Sequence, residues 1–126
     1  MRTYVIEPQT LFLPFLTRVL AQAGLHVIAT SEDLDLKDIA AHDPAAVFVD
    51  LDFFVRGAPY TLCRIRQVVR NAAIIAFCDA DDATFEAMCY ISGASAVLSK
   101  RSGIDFVLKS VRDLVPVTPE AVPLTL

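Results

Sequence analysis

Hydrophobic residues along this chain fall into two kinds of run. Short, nearly continuous apolar segments cover Thr3 to Ile6, His26 to Thr30, Ala46 to Asp50, Ala73 to Phe77 and Ala96 to Leu98. Between them lie longer segments whose apolar residues recur at helical spacing: Thr10 to Ala23, Asp33 to Ala41, Pro59 to Arg70, Asp82 to Gly93 and Gly103 to Val115. A short continuous run suits a strand buried on both faces, and its regular alternation with amphipathic helices predicts an α/β fold with a parallel sheet covered on both sides. The punctuation agrees. Ser31 or Asp33 can cap the second helix, Pro59 suits a first helical turn, and Gly24 and Gly93 suit helix ends. Pro14 is tolerated in the first helix only within its first turn or at a kink, which predicts a late start for that helix. Residues 1–115 read as one domain, and the proline-containing segment 116–126 as a C-terminal tail.

The ends of the strands carry the polar residues that the pattern does not explain. "AAVFVDLDFF", Ala45 to Phe54, runs an apolar strand straight into Asp50, with Asp52 two residues on. An unpaired carboxylate in an apolar interior costs on the order of several kcal/mol, so Asp50 belongs at an edge of the sheet. Glu7 follows the first strand, Cys78 and Asp79 follow the fourth, and Ser99 and Lys100 follow the fifth. In open parallel sheets ligands gather outside the carboxyl ends of the strands. Acids converging there suit a hard divalent cation, and a lysine beside them suits phosphoryl oxygens.

With "YVIEP", "VFVDLDFF", "IIAFCDA" and "GASAVLSK" in place, roughly residues 3 to 115 resemble the receiver (CheY-like) domain of two-component response regulators. The resemblance implies a flavodoxin-like, doubly wound five-stranded parallel sheet of order 2-1-3-4-5 with five helices. It implies that Asp50 accepts a phosphoryl group from a histidine kinase or phosphotransfer protein, and that Lys100 contacts that group. It further implies a weakly held Mg2+ on Glu7, Asp50 and the backbone carbonyl of Asp52, with Asp79 as a further candidate ligand. Activity would be limited to self-catalysed transfer onto Asp50. The chain also departs from the pattern. Pro8 stands where the family has a second acid. Cys78 and Val97 stand at the two switch positions, where the family has a hydroxyl and an aromatic ring, and a thiol is a weak donor. Arg101 replaces a proline after the lysine, which implies a rebuilt turn. Asp79 stands where a small side chain is usual, and its simpler reading is as part of a solvated, helix-capping loop, "DADD".

Composition narrows the partners. The chain has 126 residues, 55% of them hydrophobic, and a net charge of -4, which argues against direct nucleic-acid binding. Three cysteines without a CxxC spacing suggest neither a disulfide framework nor a zinc site. No apolar stretch is long enough to span a membrane, and a cytoplasmic location is expected. Output would pass through protein contacts. The first helix carries an apolar arc of roughly 200°, wider than packing on one side requires, which nominates Leu13 and Leu20 as partner surface or as packing under loops. In the last helix Phe106 falls among Lys109, Ser110 and Asp113 and is a candidate anchor for a downstream protein or a second copy of the chain. Two functions stand: an atypical phosphoacceptor receiver, or a phosphorylation-independent adaptor that keeps the fold for protein interaction.

Overall fold

The computed structural model describes residues 1–54, 56–79 and 82–114; the tail 116–126 lies outside the described residues. The strands are β1 (Arg2–Ile6), β2 (His26–Ser31), β3 (Ala46–Asp50), β4 (Ala73–Cys78) and β5 (Ala96–Ser99). They form one sheet in the order β2-β1-β3-β4-β5, with every neighbouring pair parallel. Helices α1 (Leu13–Gln22), α2 (Leu36–His42), α3 (Ala58–Val68), α4 (Ala83–Ile91) and α5 (Ile104–Leu114) make the crossovers and cover both faces. The expected flavodoxin-like architecture is the one observed.

Two cores result, one on each side of the sheet. Tyr4, Ile6, Val47, Val49, Ile74 and Ala76 point to the side of α2, α3 and α4, where Ile39, Leu62, Ile65 and Cys89 meet them. Val5, Phe48, Ile75 and Leu98 point to the other side, against Leu16, Val19 and Leu20 of α1 and Leu108 and Val111 of α5. Alternate residues of one strand therefore feed opposite cores, as the period of two requires. All of β3 is buried, in keeping with its place in the middle of the sheet.

The helix boundaries shift from their predicted places for local reasons. The first helical segment opens as a 3-10 turn over Thr10–Phe12, and α1 follows with Pro14 in its first turn, where a missing N–H costs nothing. Ser31 does not cap α2. Its hydroxyl donates to the Asp33 carbonyl (2.6 Å) and accepts from the Asp33 N–H (3.1 Å), closing a turn that delays the helix until Asp35 accepts from the Asp38 N–H. The third helix stops at Val68 instead of Arg70 because the Arg66 guanidinium takes the carbonyls of Val69, Arg70 and Ala72. Leu20, nominated as partner surface, is fully buried on the sheet-facing side of α1. Half of the wide apolar arc is core, and Leu20 belongs to that half.

Candidate functional site

The order β2-β1-β3 places the reversal of strand order between β1 and β3, so the residues that follow these two strands flank the crevice where such sheets bind ligands. Register then does the rest. Ile6 pairs with Val49, Asp50 with Phe77, and Cys78 with Ser99, so Glu7, Asp50, Cys78 and Lys100 come to one rim.

Asp50 is 1% exposed and does not lack partners. Lys100 Nζ lies 2.8 Å from both its Oδ1 and its Oδ2. The Asp52 N–H donates to Asp50 Oδ1 at 3.1 Å, which the tight 3-10 turn Leu51–Phe53 makes possible. Lys100 also reaches Asp52 Oδ2 at 2.7 Å, so one ammonium bridges two carboxylates and has an acceptor for each of its three protons. Its pKa is set by opposed influences. Burial pulls it down, and the hydrogen bonds and charges of Asp50 and Asp52 more than offset that, leaving it above the ordinary lysine value. The rings of Phe53 and Phe77 lie 5.1 and 5.4 Å from the same nitrogen, within the range at which an aromatic face attracts a cation.

Glu7 is fully buried beside this pair. Its Oε1 accepts from the Gln9 N–H at 3.0 Å, whereas its Oε2 is buried without a hydrogen-bond partner among the described residues. Burial, reinforced by the neighbouring Asp50 carboxylate, raises the Glu7 pKa to about 7. Near neutral pH the pair therefore holds a proton on Glu7 in a large share of molecules. Gln9, Phe12, Asp50, Phe77 and Lys100 line an open pocket of about 200 Å³ in front of the carboxylate.

Pro8 brings no carboxylate to the rim. Among the described residues no three acidic, histidine or cysteine side chains cluster as a metal site. Of the expected donors, Glu7 Oε2 is without a hydrogen-bond partner among the described residues, while the Asp50 carboxylate already accepts from Lys100 and from the Asp52 N–H. Asp79 is not brought among them. Its carboxylate is exposed and pairs with Arg101 at 3.3 Å.

The two expected switch positions, Cys78 and Val97, carry a thiol and a branched aliphatic side chain. The buried Cys78 Sγ lies 3.9 Å from the Leu98 carbonyl, and burial raises the thiol pKa to about 11, so it is a neutral packing group. Val97 packs against the core under α4 and offers no ring. The turn after Lys100 closes on Ser99: its hydroxyl accepts from the Arg101 N–H (3.1 Å) and its carbonyl accepts from the Ser102 N–H (3.1 Å). Of the nominated surface residues, Phe106 is 57% exposed and Leu13 is half-buried against the core under α1.

Sequence reasoning missed the side chain of Asp52, for which it assigned only the carbonyl. Both carboxylate oxygens of Asp52 accept from the Asp79 N–H at 3.1 Å while Oδ2 holds Lys100. The "DLD" spacing was the available signal, since a second acid two residues after Asp50 has no packing role. Phe53 and Phe77, the walls around Lys100, were also missed. Their strand-end positions were visible, but not that both rings turn toward the ammonium.

No family model matches the chain, and no curated protein matches it. Solved structures do. The chain is similar to a two-component response regulator of the LuxR family from Aurantimonas sp. SI85-9A1, with 20% identity over 90% of this chain and 83% of that one and a TM-score of 0.80. It is similar to CheY in the CheX-CheY-BeF3-Mg+2 complex from Borrelia burgdorferi, with 19% identity over 90% and 88% of the two chains and a TM-score of 0.78. It is also similar to the signal receiver domain of NarL from Mycobacterium tuberculosis, with 22% identity over 90% and 94% and a TM-score of 0.74. The fold is that of response-regulator receiver domains.

Proposed function

We propose that this chain is a signalling receiver that accepts a phosphoryl group on Asp50 from a phosphohistidine protein and passes its state on through a protein contact. The observation that supports this reading best is the pairing of a buried strand-end aspartate with Lys100 at 2.8 Å, facing an open pocket. An Asp50 oxygen attacks the donor phosphorus, the new P–O bond forms as the bond to the leaving imidazole breaks, and the leaving group takes up a proton. The protein supplies position and charge: Lys100 neutralises the phosphoryl oxygens from a place fixed by its two carboxylate partners and flanked by the rings of Phe53 and Phe77. A divalent cation on Glu7, Asp50 and the Asp52 carbonyl would add to that neutralisation. The likeness to CheY of the complex with BeF3 and Mg+2 is in keeping with this assignment.

The test is incubation of the protein with magnesium and acetyl phosphate. The expected product carries the mass of one phosphoryl group on the peptide containing Asp50, and Asp50→Asn abolishes it. Absence of any increment in the wild-type protein overturns the reading. Pro8 and the neutral thiol of Cys78 favour the second reading, a phosphorylation-independent adaptor. In that case Asp50→Asn retains full partner affinity.

A further inference from the structure

The last residue of β4 is Cys78, whose buried thiol offers no hydroxyl to a group arriving on Asp50, and the loop begins at Asp79. The loop is nevertheless tied to the acceptor by another route. Asp52 stands between them, with Oδ2 2.7 Å from Lys100 Nζ on one side and with Oδ1 and Oδ2 each 3.1 Å from the Asp79 N–H on the other. Asp79 in turn holds Arg101, the residue after Lys100, at 3.3 Å. The result is a continuous path of contacts from Asp50 through Lys100 and Asp52 to the Asp79 N–H, with the Asp79 carboxylate returning to Arg101 beside Lys100.

We propose that the Asp52 carboxylate, acting as a positioning residue, transmits the state of Asp50 to the loop after β4 in place of the missing hydroxyl. This inference rests on the phosphoacceptor reading of Asp50. The driving force is a change of partners. In the unmodified protein the three ammonium protons of Lys100 are shared between two carboxylates. A phosphoryl group on Asp50 brings nearly two negative charges and three strong acceptor oxygens, and Lys100 turns to them. Asp52 then loses its counter-ion while a new anion stands beside it. Its carboxylate is repelled, and the Asp79 N–H that it holds moves with it or is released. The message is electrostatic and starts at the residue two places after the acceptor.

Beryllofluoride with magnesium, an acyl-phosphate mimic, tests this by amide NMR on the full chain in three proteins. In the wild type the signals beside Asp50 and Lys100 move, and the Asp79 amide moves with them. In Asp52→Ala, which removes the acceptor, and in Asp52→Asn, which keeps an acceptor oxygen for the Asp79 N–H but sheds the charge, the signals beside Asp50 still move. The Asp79 displacement falls to a small fraction of its wild-type size in both. A merely structural role predicts that Asp52→Asn behaves as the wild type, and that result overturns the proposal. So does an Asp79 response that is equal in all three proteins, or one absent from a wild type that binds the mimic. If the wild type binds no mimic at all, the phosphoacceptor reading itself fails and takes this inference with it.

Discussion

At the scale of single residues, the site is a problem of placing two buried acids side by side. Asp50 is held by Lys100, and Glu7 is held by little beyond one N–H, with Oε2 unpartnered. The consequence is a pH dependence whose sign follows from the raised pKa. Glu7 titrates near 7 in the fold instead of its ordinary 4.5, so the folded protein keeps a proton that the unfolded chain releases. The protonated form therefore supports the fold fully below about pH 4.5, and this support is lost as the pH rises through about 7, a change on the order of 3 kcal/mol. Glu7→Gln keeps the shape, can donate to Asp50 and does not titrate. Urea unfolding of the two proteins at pH 5, 6, 7 and 8 should show the variant gaining on the wild type between pH 5 and 7 and the gain levelling off by pH 8. Parallel profiles would mean that Glu7 titrates normally. Glu7 was legible as an acid at a strand end. Its proton was not, because that depends on complete burial and on the distance to Asp50, and neither is written in local spacing.

At the scale of elements, what was legible followed the range of the interaction that decides it. The strand Ala46–Asp50 reads directly from its apolar run because burial on both faces leaves no alternation to interpret. Helix ends were less legible, since distant groups settle them. Arg66 is the clearest case. It looks like an ordinary charged position on α3, yet its guanidinium donates to Ala72 O and Gly93 O, each at 2.6 Å, and to Val69 O and Arg70 O, each at 3.1 Å. It thereby ends α3 and clamps the turn between α4 and β5, where Gly93 adopts a φ of 120° with Arg66 Cβ only 3.1 Å from where a side chain would start. Arg66→Met leaves several carbonyls without donors and should lower unfolding stability by about 3 kcal/mol. Arg66→Lys should recover less than half, because an ammonium cannot span four acceptors arranged for a planar fork. Full rescue by lysine would show that charge matters there and geometry does not. Leu20 failed as a surface residue for a related reason. A sequence shows the width of an apolar arc, but not which part the sheet and α5 cover.

At the scale of the whole molecule, the sheet is a partition, and the site sits on its rim because neither core can hold it. The strands send alternate side chains to opposite sides, so the core under α2, α3 and α4 and the core under α1 and α5 share backbone but few side-chain contacts. Glu7, Asp50 and Lys100 depend on the register of four strands, β1, β3, β4 and β5, and so on both cores at once. This separates stability from coupling in a testable way. Ile65→Ala opens a cavity on one side and Leu20→Ala on the other, both at fully buried positions, and each should cost about 2–5 kcal/mol. With the sheet between them, the losses should add to within about 0.5 kcal/mol in the double variant. The slope of the denaturant transition should stay constant, since both cores unfold in one step through the shared strands. A double variant whose cost departs from the sum by more than about 1 kcal/mol would show that the two sides deform together through the sheet. The rim would then respond to packing changes on either face, and substitutions far from Asp50 would alter the Lys100 bridge without touching it.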